Sequence, residues 1–290
     1  MIESVTQRLF TRTPVDTLYH YTSFSGMLGI IDSGTLRASD IRYMNDSAEL
    51  RHTIELLSQH VNRRILAGCD EPALLNQLLE WLTHRVVSGP MLFGASFRAN
   101  GNLLSQWRGY SVHGKGVSLG FDPRHISACA GRQAFQVGKC LYDESAQSRL
   151  VEQIVDAIEL LARSGSAAAA RPDNGWSAVF EQVEADLLRI AAILKHPAFE
   201  EEQEWRIVSP VVRDGAEFPV SFREGSSMLV PFYRFDLRYP AEQRIPLDHV
   251  YLGPTTNSEL SLKSLELFLR QEQAVPDRGI SYCRIPYRQR

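Results

Sequence analysis

The chain has 290 residues, 44% of them hydrophobic and 22% charged, an ordinary globular composition that buries a sizeable core without metals or disulfides. Its formal net charge of −3 offers no global attraction to nucleic acid or to anionic membranes. Cys69, Cys129, Cys140 and Cys283 have no paired spacing, no run approaches the roughly 18 apolar residues of a membrane span, and the first residues lack a charged start followed by an apolar run, so the expected location is cytoplasmic.

Thr17 to Tyr21 reads as a short aromatic strand. Phe24, Met27, Leu28, Ile30 and Ile31 then keep the spacing of one helical face, with Ser23 as a cap and Gly34 at the exit. Thr35 to Ser39 reads as a second strand. Asn45-Asp46, with Glu49 three residues after Asp46, opens another helix in capping-box fashion; Gly68 ends it, and Glu71 to Val87 forms the next. Met91 to Phe97 is a strand, followed by an Asn100-Gly101 turn, the segment LLSQWRGY and a buried strand at Val117 to Phe121. Residues 133–142 read as another strand. Two long helices near 144–163 and 176–195 are joined by SGSAAAARPDNG. The last third returns to strands at 204–212, 217–222, 227–233 and 248–252, then a helix at 258–272 and a strand near 280–285. Short strands and helices of unequal length, without regular alternation, predict an α+β fold: a single domain over 1–290 carrying a helical insertion at about 144–196. The two helices are expected to form a hairpin packed as a layer on one side of the sheet, with Trp176 and Phe180 buried.

Two segments hold candidate chemistry. Leu18-Tyr19-His20-Tyr21-Thr22-Ser23 ends a strand in polar and aromatic groups, where a histidine can hydrogen-bond a sugar hydroxyl while rings pack on a base. In Glu200-Glu201-Glu202-Gln203-Glu204-Trp205-Arg206, the Glu-x-Glu spacing puts Glu202 and Glu204 on one side of a strand. A carboxylate there can stabilise an oxocarbenium-like sugar centre. Asn45-Asp46-x-x-Glu49 is a helix cap whose side chains, close after Tyr43, also suit a cleft. His113-Gly-Lys-Gly lacks Walker spacing and reads as a turn, and Gly253-Pro-Thr-Thr-Asn as an ordinary helix cap.

LYHYTSFSGMLGIIDSGTLRAS resembles the opening of ADP-ribosyltransferase-fold proteins, and QEWRIV resembles the strand that supplies the glutamate in the His-Tyr-Glu branch of that fold. The chain also resembles a bacterial family catalogued as domain of unknown function 2971, through YHYTS, Asn45-Asp46-Ser-Ala-Glu49, Ala95-Ser96-Phe97, QWRGY, KGVSLGF, Lys195 and Glu-x-Glu-Trp-Arg. The resemblance implies a split mixed or antiparallel sheet with flanking helices, and NAD+ as substrate with no metal. His20 would hydrogen-bond a ribose of NAD+, with Tyr21 and Thr22 holding the nicotinamide amide; Tyr21 stands where many transferases have glycine and would crowd that site. Ser96 and Phe97 take the middle-motif position, Trp107 or Tyr110 would stack on nicotinamide, and Tyr43, Asn45, Asp46 and Arg206 would complete the binding site. Glu204 would stabilise the cation as nicotinamide leaves, and Glu202 would activate an acceptor.

These readings lead to an enzyme that cleaves NAD+ and passes ADP-ribose to a macromolecule or to water, in the manner of a toxin, an effector or an anti-phage module. His20 and Glu204 are then expected to face one cleft. Two rivals remain: a non-catalytic protein that senses a nucleotide or a nucleic-acid end, and a nuclease-type toxin holding a metal on Asp46, Glu49 and Glu202.

Overall fold

A computed structural model describes residues 2–44, 48–110, 115–164, 175–213, 218–225, 227–239 and 244–284. Helix α1 (Ile2–Leu9), which the sequence reading did not anticipate, buries Ile2 and Val5. Strand β1 (Leu18–Thr22) runs into helix α2 (Phe24–Ser33), whose first turn is capped by the Ser23 Oγ accepting from the Gly26 N–H at 3.1 Å. Gly34 ends the helix at φ 68°, a conformation glycine reaches without steric penalty. There follow β2 (Thr35–Asp40), a 3-10 turn at Ile41–Tyr43, α3 (Ala48–Leu66), α4 (Pro72–Ser88), β3 (Phe93–Arg98), α5 (Leu104–Tyr110) and β4 (Val117–Phe121). Helix α6 (Pro123–Arg132) is unanticipated, as is α5: Asp122 caps α6 through the Arg124 N–H and Pro123 starts it. It shortens the strand expected at 133–142 to β5 (Gln136–Lys139).

The long pair is α7 (Glu144–Arg163) and α8 (Ser177–Ala191), with most of the joint between them outside the described residues. Then come a 3-10 turn at Pro197–Glu202, β6 (Glu204–Val208), β7 (Val220–Glu224), β8 (Leu229–Asp236), β9 (His249–Leu252), α9 (Ser258–Gln271) and β10 (Ile280–Tyr282).

The architecture is α+β around one mixed, largely antiparallel sheet, ordered β10-β9-β4-β1-β3-β2-β8-β7, with β6 and then β5 attached beside β3; β9 and β10 are parallel. One feature of the register positions the site. Strand β6 pairs along β3 from Gly94↔Val208 to Arg98↔Glu204, so it occupies one whole edge of β3. Strands β1 and β2 must therefore share the other edge. β1 meets it at Tyr19↔Arg98, and β2 at Ser39↔Gly94 and Asp40↔Phe93. Between these attachments, at Ser96, the sheet is split into two wings.

Paired residues in antiparallel strands share a face. On one face lie Leu18, Phe97, Leu119, Trp205, Ile207 and Val250, packed with Ile126 and Cys129 of α6 and Leu265 and Leu269 of α9. The opposite face carries Tyr19, Tyr21, Ser96, Arg98, Glu204 and Arg206. The expected helical layer is present, and Trp176 and Phe180 are buried in it. It is not a lone hairpin, however. Residues of α1, α3 and α4 complete its apolar cluster, because the amphipathic faces of α7 and α8 are broader than each other can cover.

Candidate functional site

The split between the wings opens as a cleft of about 860 Å³. That volume lies in the range of about 300–1,000 Å³ typical of small-molecule sites. One wall is the end of β1 (His20, Thr22) with the first turns of α2, the floor is Gly94–Ser96, and the other wall is Arg37 and Ser39 of β2, Phe232 and Arg234 of β8 and Arg223 of β7.

His20 is half-buried in the gap, its Nδ1 3.0 Å from the Ser96 carbonyl oxygen. That carbonyl sits where the β3 edge is paired with neither β1 nor β2. A carbonyl only accepts, so Nδ1 carries the proton and, in the neutral ring, Nε2 carries a lone pair. Burial holds the imidazole below its ordinary value; the charge of Arg98 acts in the same direction and the Ser96 bond against it. His20 is thus a neutral acceptor at the cleft.

Glu204 stands elsewhere. Tyr19, Arg98 and Glu204 are register partners across β1, β3 and β6, so Glu204 lies on the face away from the His20 side chain. This overturns the expectation that the two face one cleft: His20 lines the opening, whereas Glu204 is shut into the interior and is no part of the cleft lining. The Glu204 carboxylate is fully buried. Oε2 accepts from Lys195 Nζ at 2.6 Å and lies 3.3 Å from Arg98 Nη1, while Oε1 accepts from Arg206 Nε at 2.6 Å. Burial alone would raise its pKa, but Arg206, Arg98 and Lys195 together outweigh it and hold the group well below the usual carboxylate range.

Glu202 joins the same cluster, with Oε2 2.7 Å from both Lys195 Nζ and Arg98 Nη2. It reaches that position from the 3-10 turn rather than from a strand. Gln203 takes a left-handed φ of 42°, which breaks the alternation that Glu-x-Glu implied and turns both carboxylates onto one lysine. Arg206 also donates from Nη1 to the Ala192 carbonyl at 2.8 Å, tying the end of α8 to β6.

Of the other candidates, Thr22 and Ser96 line the cleft. Tyr21 also contributes to it, but its ring is buried edge-on to Trp107, and its hydroxyl donates to the Asn100 carbonyl and accepts from the Leu103 N–H, both at 2.8 Å. The ring therefore belongs to the scaffold and does not crowd the opening. Trp107 is fully buried and donates from Nε1 to Asn102 Oδ1 at 2.9 Å, and Phe97 is fully buried in the main core, so neither is free to stack on a ligand. Tyr43 is exposed outside the cleft lining, its ring 6.0 Å from the Arg42 guanidinium. Asn45 and Asp46 lie outside the described residues, as do His113 and Gly114, and the side chains of Glu49 and Tyr110 are not described. Asn257 caps α9 as expected, accepting from the Leu260 N–H at 3.1 Å. Sequence reasoning missed Arg98, which bridges the two glutamates, and the arginines of the cleft wall. The available signal was positional: Arg37 and Arg234 each interrupt an apolar strand, and an arginine at such a place faces away from the core.

Residues 106–207 match the model of a family described as a protein of unknown function (DUF2971). The matched segment runs from α5 to β6 and so contains Lys195, Glu202, Glu204 and Arg206, while His20 and Ser96 precede it. No curated protein and no solved structure matches the chain.

Proposed function

We propose that the chain is a nucleotide-binding protein that takes NAD+ or a related nucleotide into the split-sheet cleft. One observation carries the reading: the His20 imidazole, locked by the Ser96 carbonyl, presents a neutral Nε2 acceptor at a cleft that the sheet itself leaves open. A ribose hydroxyl is the complementary donor, and the polar Thr22 and Ser23 beside it suit a sugar better than an apolar ligand. An ADP-ribosyltransferase-like arrangement is supported by the two wings sharing one edge of β3, the geometry implied by the resemblance of the β1–α2 segment.

The geometry favours binding over cleavage. Stabilising an oxocarbenium-like centre requires a carboxylate oxygen at the ligand, and both oxygens of Glu204 are held by Lys195, Arg98 and Arg206 away from solvent. The NAD+-cleaving reading keeps one supporting observation, that Glu204 shares a sheet face with Ser96 of the cleft floor. Calorimetric titration with NAD+ and ADP-ribose, run beside an assay for released nicotinamide, tests the proposal. Binding without release is expected. Release that disappears in Glu204→Gln while binding persists would restore the transferase, and no binding of either ligand would end the nucleotide reading.

A further inference from the structure

The wall of the cleft opposite His20 is built from like charges. Arg37 of β2 and Arg234 of β8 are direct cross-strand partners, an arrangement that destabilises a sheet when nothing compensates. Both guanidiniums gather over the buried ring of Phe232, at 5.4 and 5.8 Å from its centroid, so the ring holds them in place. Arg223 joins the same wall from β7, where burial and then the charge of Arg37 lower its pKa. Among the described residues none of the three is in an ion pair, although Arg238 close by on the same strand end is matched with Asp236 at 2.9 Å. The one carboxylate of the described lining, Asp32, belongs to α2 on the opposite wall.

We infer that Arg37, Arg223 and Arg234 form a diphosphate-binding wall, taking the two linked phosphoryl groups of a nucleotide. Guanidinium forks match phosphate oxygens two at a time, which a lysine cannot do. The three arginines come from three adjacent strands, with Arg223 opposite Val230, four residues along β8 from Arg234, so their backbone positions are spaced more widely than one phosphoryl group covers. The inference rests on the nucleotide reading for the remainder of the ligand, but the wall is testable without it.

The experiment titrates the full chain with inorganic pyrophosphate and, separately, with ADP-ribose and a short single-stranded oligonucleotide. Wild type, Arg37→Gln, Arg223→Gln and Arg234→Gln are compared, with Lys263→Gln on the exposed face of α9 as control. Pyrophosphate should bind the wild type and the control equally, and each cleft variant about ten-fold or more weakly. The unliganded Arg37→Gln protein should melt no lower than wild type, because it loses a repulsion. Pyrophosphate that fails to bind, cleft variants that bind it normally, or an Arg37→Gln protein that melts lower would each overturn the wall. An oligonucleotide that binds where pyrophosphate does not would overturn it too, and assign these arginines to a polyanionic strand. Pyrophosphate binding with no binding of ADP-ribose would uphold the wall while removing the nucleotide reading. ADP-ribose binding that is indifferent to the arginines would do the reverse.

Discussion

Replacing Glu204 by glutamine should destabilise the fold as a whole, whatever it does to a ligand. In the wild type, Arg98, Lys195 and Arg206 face two carboxylates, Glu204 and Glu202, in a cluster nearly closed to water. The glutamine keeps the shape but leaves three buried cations against one carboxylate. Breaking a buried pair in this way costs about 3–5 kcal/mol. For a chain of this size, that lowers the melting temperature on the order of 10 °C. Lys195→Met should cost less, because the two arginines left behind are balanced by the two glutamates. For the same reason, Glu204→Gln combined with Lys195→Met should recover part of what the glutamine alone loses. The sign with pH follows from the depressed pKa. The stabilisation from ionised Glu204 is complete above the unfolded carboxyl value of about 4.3 and is lost as pH falls toward the lower folded value. The gap between wild type and Glu204→Gln should thus be full at pH 7 and close only below about pH 4.3. Urea unfolding of the four proteins at pH 7 and pH 4 reads all of this, and a Glu204→Gln protein that unfolds with the wild type at pH 7 would refute the reasoning.

His20 gives a pH dependence in a different window. Its folded pKa lies below the ordinary value, so its contribution is complete above about pH 6.5 and declines as pH falls below that, where the unfolded chain takes up the proton first. Urea midpoints between pH 7.5 and 5.5 should show a decline that His20→Gln reduces; equal slopes in the two proteins would contradict it. In the helical layer, Phe180 is buried and its ring lies 5.6 Å from that of Trp81. Phe180→Ala should cost about 3–5 kcal/mol in chemical denaturation without changing cleft binding once folded.

Local chemistry made much of the fold legible. Ser23 and Gly34 bracket α2 as their residue types require, and Asp143 with steady apolar spacing sets α7 at its expected bounds. Helix α6 was missed although Asp122-Pro123 is a cap followed by a helix-starting proline, because its apolar stretch is short beside the strand-like Val117–Phe121 run before it. The candidate site was legible in part. His20, Thr22 and Ser96 line the cleft because they end or floor strands at the split. Trp107 and Phe97 fail as ligand contacts for a tertiary reason: large rings beside a gap were needed to fill the layers around it. Glu202 and Glu204 do come together, but through the left-handed Gln203 at the end of a 3-10 turn and around a buried lysine, not along a strand at the cleft. The arginine wall depends on the mutual register of segments at 35–40, 220–224 and 229–236, which no local pattern encodes.

The divided edge of β3 also has a mechanical meaning. The wing β1-β4-β9-β10 and the wing β2-β8-β7 are each sewn to β3 by one or two residue pairs, while β6 runs unbroken along the other side as a splint. A molecule lodged in the gap would touch both wings and act as the missing rung of the ladder. Its binding energy would then be added to the resistance of the sheet against being pulled open, growing with the logarithm of its concentration. Amide exchange in β1 and β2 should slow together when the cleft is filled, although the two strands are never hydrogen-bonded to one another.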